Sequence, residues 1–128
     1  MGVAIAPNYR EEVPNVDFPN GNLDRESIGT PETDATSPHA NFSTAFTGKI
    51  VIPAGMGGVY KFISNTDDDG ALFVDGQLVS YDPGGHGGRD ADTAAAPAFV
   101  TPITLAPGSY NFVFLQAEQG GGASAQML

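Results

Sequence analysis

Three carboxylates stand side by side in the chain, at Asp67, Asp68 and Asp69, between Asn65-Thr66 and the apolar run Ala71-Leu72-Phe73-Val74. Like charges a few ångströms apart raise one another's pKa, and a bound cation relieves that cost. The hard cation calcium takes about 6–8 oxygen ligands, and carboxylates clustered on a turn supply several with little rearrangement. The competing reading is a solvated acidic turn. Residues 65–70 also imitate the first half of an EF-hand loop, but position twelve would be Gly76 rather than Glu and no helical pattern flanks it, so an EF-hand is excluded.

Two other segments carry groups that touch ligands. The loop Tyr81-Asp82-Pro83-Gly84-Gly85-His86-Gly87-Gly88-Arg89-Asp90-Ala91-Asp92 offers Asp82, His86 and Asp90 as polar contacts and Tyr81 as a stacking ring. Its glycines do not make a phosphate loop, because no Lys-Ser/Thr follows them. The segment Gln116-Ala117-Glu118-Gln119-Gly120-Gly121-Gly122-Ala123 offers the amides of Gln116 and Gln119. Glu118 reads equally well as an outward strand-end charge. Asp75-Gly76 is the dipeptide of a tight hairpin turn and reads as structural.

The elements that must position these groups read as strands. Runs at 48–53, 58–65, 71–75, 77–81, 98–105 and 109–118, with a last one at 123–128, are rich in β-branched and aromatic residues and end at Pro-Ala-Gly, Asp-Gly, Ala-Pro-Gly and Gly-Gly-Gly turns. No 3.6-residue apolar period persists. The expected fold is all-β, an antiparallel β-sandwich of jelly-roll type with long glycine-rich loops. Residues 1–41 are polar and proline-punctuated and read as an irregular segment leading into or packing on a domain over 42–128, with Val16 and Phe18 as candidates for an edge strand. Tyr60, Phe62, Phe73, Tyr110, Phe112 and Phe114 fall at strand spacing and are read as core.

Composition narrows the function. Five Lys and Arg face 15 Asp and Glu, for a formal charge of −10, which argues against nucleic acid and anionic membrane as partners. No apolar run approaches the ~20 residues that span a bilayer, so no membrane insertion is expected. With no cysteine, thiolate catalysis, zinc–thiolate sites and iron–sulfur clusters are excluded. A glycosidase would need two carboxylates facing across a cleft roughly 5–10 Å apart, which a crowded triplet does not provide. No serine sits on a nucleophile elbow. A non-catalytic role is the stronger reading.

Five motifs in order resemble the fourteen-kilodalton protective-antigen domain family: Phe46-x-Gly48-x-Ile50-x-Ile52-Pro53-Ala54-Gly55, Tyr60-Lys61-Phe62, Thr66-Asp67-Asp68-Asp69-Gly70-Ala71-Leu72-Phe73-Val74-Asp75-Gly76-Gln77-Leu78-Val79, Leu105-x-Pro107-Gly108-x-Tyr110, and Glu118-Gln119-Gly120-Gly121-Gly122-Ala123. The stretch 67–88 is also similar to the related fibro-slime domain. The resemblance runs from about Phe46 to Leu128. It implies a lectin-like β-sandwich, extracellular in a secreted or cell-surface protein, that binds carbohydrate or serves cell adhesion. In its lectin branch two adjacent aspartates joined by a cis peptide hold calcium, and sugar hydroxyls complete the coordination. Carried over, this makes Asp67 and Asp68 the calcium pair, with Asp69 a further donor and Gln116 or Gln119 an amide donor from the facing hairpin. The loop 82–92 would shape the glycan pocket. A second reading keeps calcium but gives it a purely structural role, without sugar binding.

Overall fold

The computed structural model describes residues 12–18, 42–87, 99–120 and 123–128. It is all-β, with no helix among the described residues. Among the described residues ten strands follow one another: β1 (Asp17–Phe18), β2 (Phe42–Ile52), β3 (Gly58–Tyr60), β4 (Ser64–Asp67), β5 (Asp69–Val74), β6 (Gln77–Asp82), β7 (Phe99–Val100), β8 (Ile103–Leu105), β9 (Gly108–Glu118) and β10 (Ser124–Met127). They form a five-stranded sheet in the order β2-β9-β5-β6-β7, a three-stranded sheet β1-β10-β4 and a two-stranded ribbon β3-β8, with every pairing antiparallel. Layered antiparallel sheets around an apolar centre are what a sandwich requires.

Strand alternation builds that centre. Along β9, Phe112, Phe114, Gln116 and Glu118 turn inward, while Asn111, Val113 and Leu115 turn outward. Leu72 and Val74 of β5, Val79 of β6, Phe46 and Ile52 of β2, and Ile103 and Leu105 of β8 join Phe112 and Phe114 in the core. Val16 and Ala125 close it from the three-stranded side, with Phe18, Phe46 and Phe114 in consecutive ring contact at centroid distances of 5.6 and 6.0 Å. The Asp75-Gly76 turn between β5 and β6 has positive φ at both residues, 49° and 76°, as a tight hairpin of this type requires. Asp75 is thus a turn residue.

The elements differ from the sequence expectation in three places. The strand expected over 58–65 is two strands in different sheets, because β3 pairs with β8 and β4 with β10. Between them Ile63 exchanges both backbone hydrogen bonds with Leu128. The strand expected over 98–105 divides into β7 and β8 around Thr101-Pro102, where proline cannot donate to a ladder. The strand expected to begin at Gly48 begins at Phe42, so β2 is as long as β9, 11 residues each. Of the aromatic residues read as core, Phe73 points to the outer face with Ala71, and Tyr60, Phe62 and Tyr110 lie at the core margin.

One close approach sets the spacing of the layers beside the aspartates. A Cβ on Gly70 would lie 2.5 Å from Thr66 Cγ2 and 2.6 Å from Thr66 Oγ1. Thr66 is fully buried and has no room to retreat. Gly70→Ala is therefore expected to destabilise the fold by about 1–3 kcal/mol, the usual cost of overpacking, read as a lower midpoint in urea unfolding.

Candidate metal centre

The chain passes between the sheets twice at the same end of the molecule, and both crossings carry carboxylates. In the first, β4 ends at Asp67 in the three-stranded sheet and β5 begins at Asp69 in the five-stranded sheet, leaving Asp68 as the connecting residue. In the second, β9 ends at Glu118 in the five-stranded sheet and β10 begins at Ser124 in the three-stranded one. Antiparallel pairing sets the crossings side by side, with Asp67 opposite Ser124 and Asp69 opposite Ala117. The amide of Asp68 donates to the Ala117 carbonyl at 3.2 Å. The Asp67–Asp68 peptide bond is cis.

The side chains converge from this frame. Asp67, Asp68 and Glu118 are all buried, and each offers a carboxylate oxygen within 4.8 Å of the others. Asp68 is fixed by two backbone donors from different loops: His86 N–H to Oδ1 at 2.9 Å and Gln119 N–H to Oδ2 at 2.8 Å. Glu118 accepts from Gly120 N–H at 2.7 Å through Oε1, while its Oε2 is buried without a hydrogen-bond partner. Gln116 donates through Nε2 to the Asp67 carbonyl at 2.6 Å, and its Oε1 is likewise buried and unpartnered. Buried oxygens without donors are costly unless something else satisfies them.

Electrostatics point the same way. Glu118 has its pKa raised to about 7, first by burial and then by the Asp68 charge; the Gly120 hydrogen bond pulls it back in part, and Asp67 adds a smaller upward push. A divalent ion would replace the proton that this carboxyl otherwise retains. The donor set is all oxygen, which suits calcium and gives zinc or copper none of the nitrogen or sulfur they favour. The residues present thus fit a hard cation, and Asp67, Asp68, Glu118 and the Gln116 amide oxygen are the groups that would hold it.

A pH effect follows. The unfolded glutamate titrates near 4.5 and the folded one near 7. Between those values the folded chain binds a proton that the unfolded chain has released, so stability of the ion-free protein falls as pH rises through this window and levels off above it. Calcium binding at pH 6 should release close to one proton, and affinity should drop about tenfold per pH unit below 7. Calorimetry in buffers of different ionisation enthalpy measures that release.

The other residues singled out in the sequence fall around this centre. Asp69 lies outside the group of three: its Oδ1 accepts from Gly84 N–H and its Oδ2 from the Gln119 amide at 3.3 Å, so it ties the glycine loop to the hairpin. Gly84 meets it with φ at +93°, a conformation that side chains disfavour. Asp82 is buried, and its Oδ2 lies 3.3 Å from His86 Nε2, within ion-pair distance though not in hydrogen-bond geometry. His86 serves the centre through its backbone, while its Nδ1 contacts the Gly87 carbonyl at 3.2 Å. Tyr81, adjacent to Asp82 on β6, faces the opposite side of the sheet and lines a surface hollow of about 480 Å³ with Asp69, Ser43 and Leu115. Asp90 lies outside the described residues.

Glu118 is the member of the centre that sequence reading left open. A usable signal was present, since the inward period of Phe112 and Phe114, extended by two and four residues, reaches Gln116 and Glu118.

Comparison with family models, curated proteins and solved structures returned no match. Among the described residues no helix is long and apolar enough to cross a membrane.

Proposed function

We propose that the chain is a non-catalytic, calcium-dependent carbohydrate-binding or adhesion module of a secreted or cell-surface protein. The observation that carries this reading is the buried trio Asp67, Asp68 and Glu118 at the double crossing, with oxygens within 4.8 Å and one Glu118 oxygen unpartnered. Bound calcium supplies an electrophilic centre that accepts neutral oxygen donors such as vicinal sugar hydroxyls. The chain's own contribution is positional. His86 and Gln119 amides aim the Asp68 carboxylate, and the Gln116 amide holds the Asp67 backbone. Asp82 and His86 stand next to the centre as polar contacts for a glycan. The test is a glycan array with the domain in calcium and in chelator. Glycan signals that vanish in chelator and return with calcium are expected; binding unaffected by chelator would overturn the mechanism.

A second reading rests on the same hydrogen bonds. Because Asp68 joins the 84–86 loop to the 119–120 hairpin, an ion there would lock two loops and two sheets together without any sugar. It predicts a calcium-dependent melting temperature with an empty glycan array.

A further inference from the structure

We propose that Asp69, which stands outside the trio, is a positioning residue that sets the affinity of the centre for its ion without touching the ion. The inference rests on reading Asp67, Asp68 and Glu118 as the ion's ligands. Asp68 is aimed by two backbone donors, the N–H groups of His86 and Gln119. Both donors belong to glycine-rich segments: His86 follows Gly84 and Gly85 and precedes Gly87, and Gln119 precedes Gly120. Glycine loses more conformational freedom on ordering than any other residue. Left to Asp68 alone, both segments would have to be ordered by the very carboxylate that the ion needs.

Asp69 reaches the same two segments. Its Oδ1 accepts from the N–H of Gly84, two residues before His86, and its Oδ2 accepts from the side chain of Gln119 at 3.3 Å. Neighbouring carboxylates thus bridge one loop and one hairpin twice, Asp68 through residues 86 and 119, and Asp69 through residues 84 and 119. The two bridges have different surroundings. Asp68 is buried with Asp67 and Glu118, whereas Asp69 is half-buried at the start of β5 and outside the group whose oxygens converge. An ion drawing on the Asp68 oxygens competes with the His86 and Gln119 donors for the same lone pairs. The Asp69 bridge stays whole and keeps both segments in place. Residues that orient metal ligands in this way change metal affinity by about 10–100-fold when removed. The geometry also separates position from charge. Asparagine at 69 keeps both links, because its Oδ1 accepts from Gly84 N–H and its Nδ2 donates to the Gln119 amide oxygen once that amide turns over.

The test is calorimetric titration of the full chain with calcium, joined to amide hydrogen exchange in chelator. Asp69→Ala should bind calcium about 10–100-fold more weakly than wild type, while Asp69→Asn should stay close to wild type. Gln119→Ala, at an exposed position, removes one of the two links. It should weaken binding by a smaller factor, and by less still when added to Asp69→Ala. In chelator the amides of Gly84, His86 and Gln119 should exchange about tenfold faster in Asp69→Ala, as loss of a charge-assisted hydrogen bond requires, and not in Asp69→Asn. A residue that served stability alone would lower the melting temperature and leave the affinity of the folded chain untouched. Unchanged affinity in Asp69→Ala and Gln119→Ala would overturn the proposal and leave the trio as the metal site. Equal losses in Asp69→Asn and Asp69→Ala would also overturn it, because charge or direct ligation would then be the cause. A wild type that binds no calcium would overturn the reading of the trio, and this inference with it.

Discussion

Asp68→Asn is expected to abolish the rise in melting temperature that calcium produces in the wild-type domain. At calcium 100 times its dissociation constant, a native-state ligand adds about 2.7 kcal/mol, which moves the midpoint of a domain of this size by roughly 5–15 °C. The change removes one negative charge from the trio and turns one of two backbone-held oxygens into an amide nitrogen. Since His86 and Gln119 both donate to this carboxylate, whichever side receives the nitrogen loses an acceptor. The ion-free variant should therefore melt below the ion-free wild type, a cost of about 1–3 kcal/mol for an unsatisfied buried donor. Differential scanning calorimetry with and without calcium reads both effects, and a preserved calcium response would place the ion elsewhere.

Glu118→Gln should move the two properties in opposite directions. Glutamine keeps the shape and keeps an oxygen for the Gly120 amide, while the new Nε2 takes the place of the unpartnered Oε2 and donates toward the neighbouring aspartates. It also removes the charge that burial and Asp68 resist. At pH 8 the ion-free variant should be more stable than wild type by about 1–3 kcal/mol. At the same time calcium affinity should fall by about 100-fold or more, since loss of a mere supporting partner already costs 10–100-fold. The fall in stability between pH 5 and 7 should also flatten, because the group that titrates there is gone. A glutamate serving only as a strand-end charge would show none of the three.

These two residues also mark how far the sequence could be read. Asp67 and Asp68 are conspicuous by residue type alone, and the turn at Asp75-Gly76 follows from dipeptide chemistry. Glu118 stands between Ala117 and Gln119 in a segment that ends in glycines, where type says nothing about direction; parity with Phe112 and Phe114 says which way it faces, once β9 is known to run unbroken to its end. Asp69 is as acidic as its neighbours, but strand alternation turns it outward on β5, toward Gly84 and Gln119. The all-β class was legible from turns and periodicity. The division of 58–65 between two sheets was not, because it depends on β8 and β10, whose pairing is a long-range choice.

The most direct test of the metal centre is a crystal structure of the domain grown in calcium. The expected result is an ion bound by carboxylate oxygens of Asp67, Asp68 and Glu118 at about 2.3–2.6 Å, with the Asp68 hydrogen bonds to His86 and Gln119 adjusted around it. A calcium-saturated crystal with no ion between these three residues, or with Glu118 turned out to solvent, would contradict it.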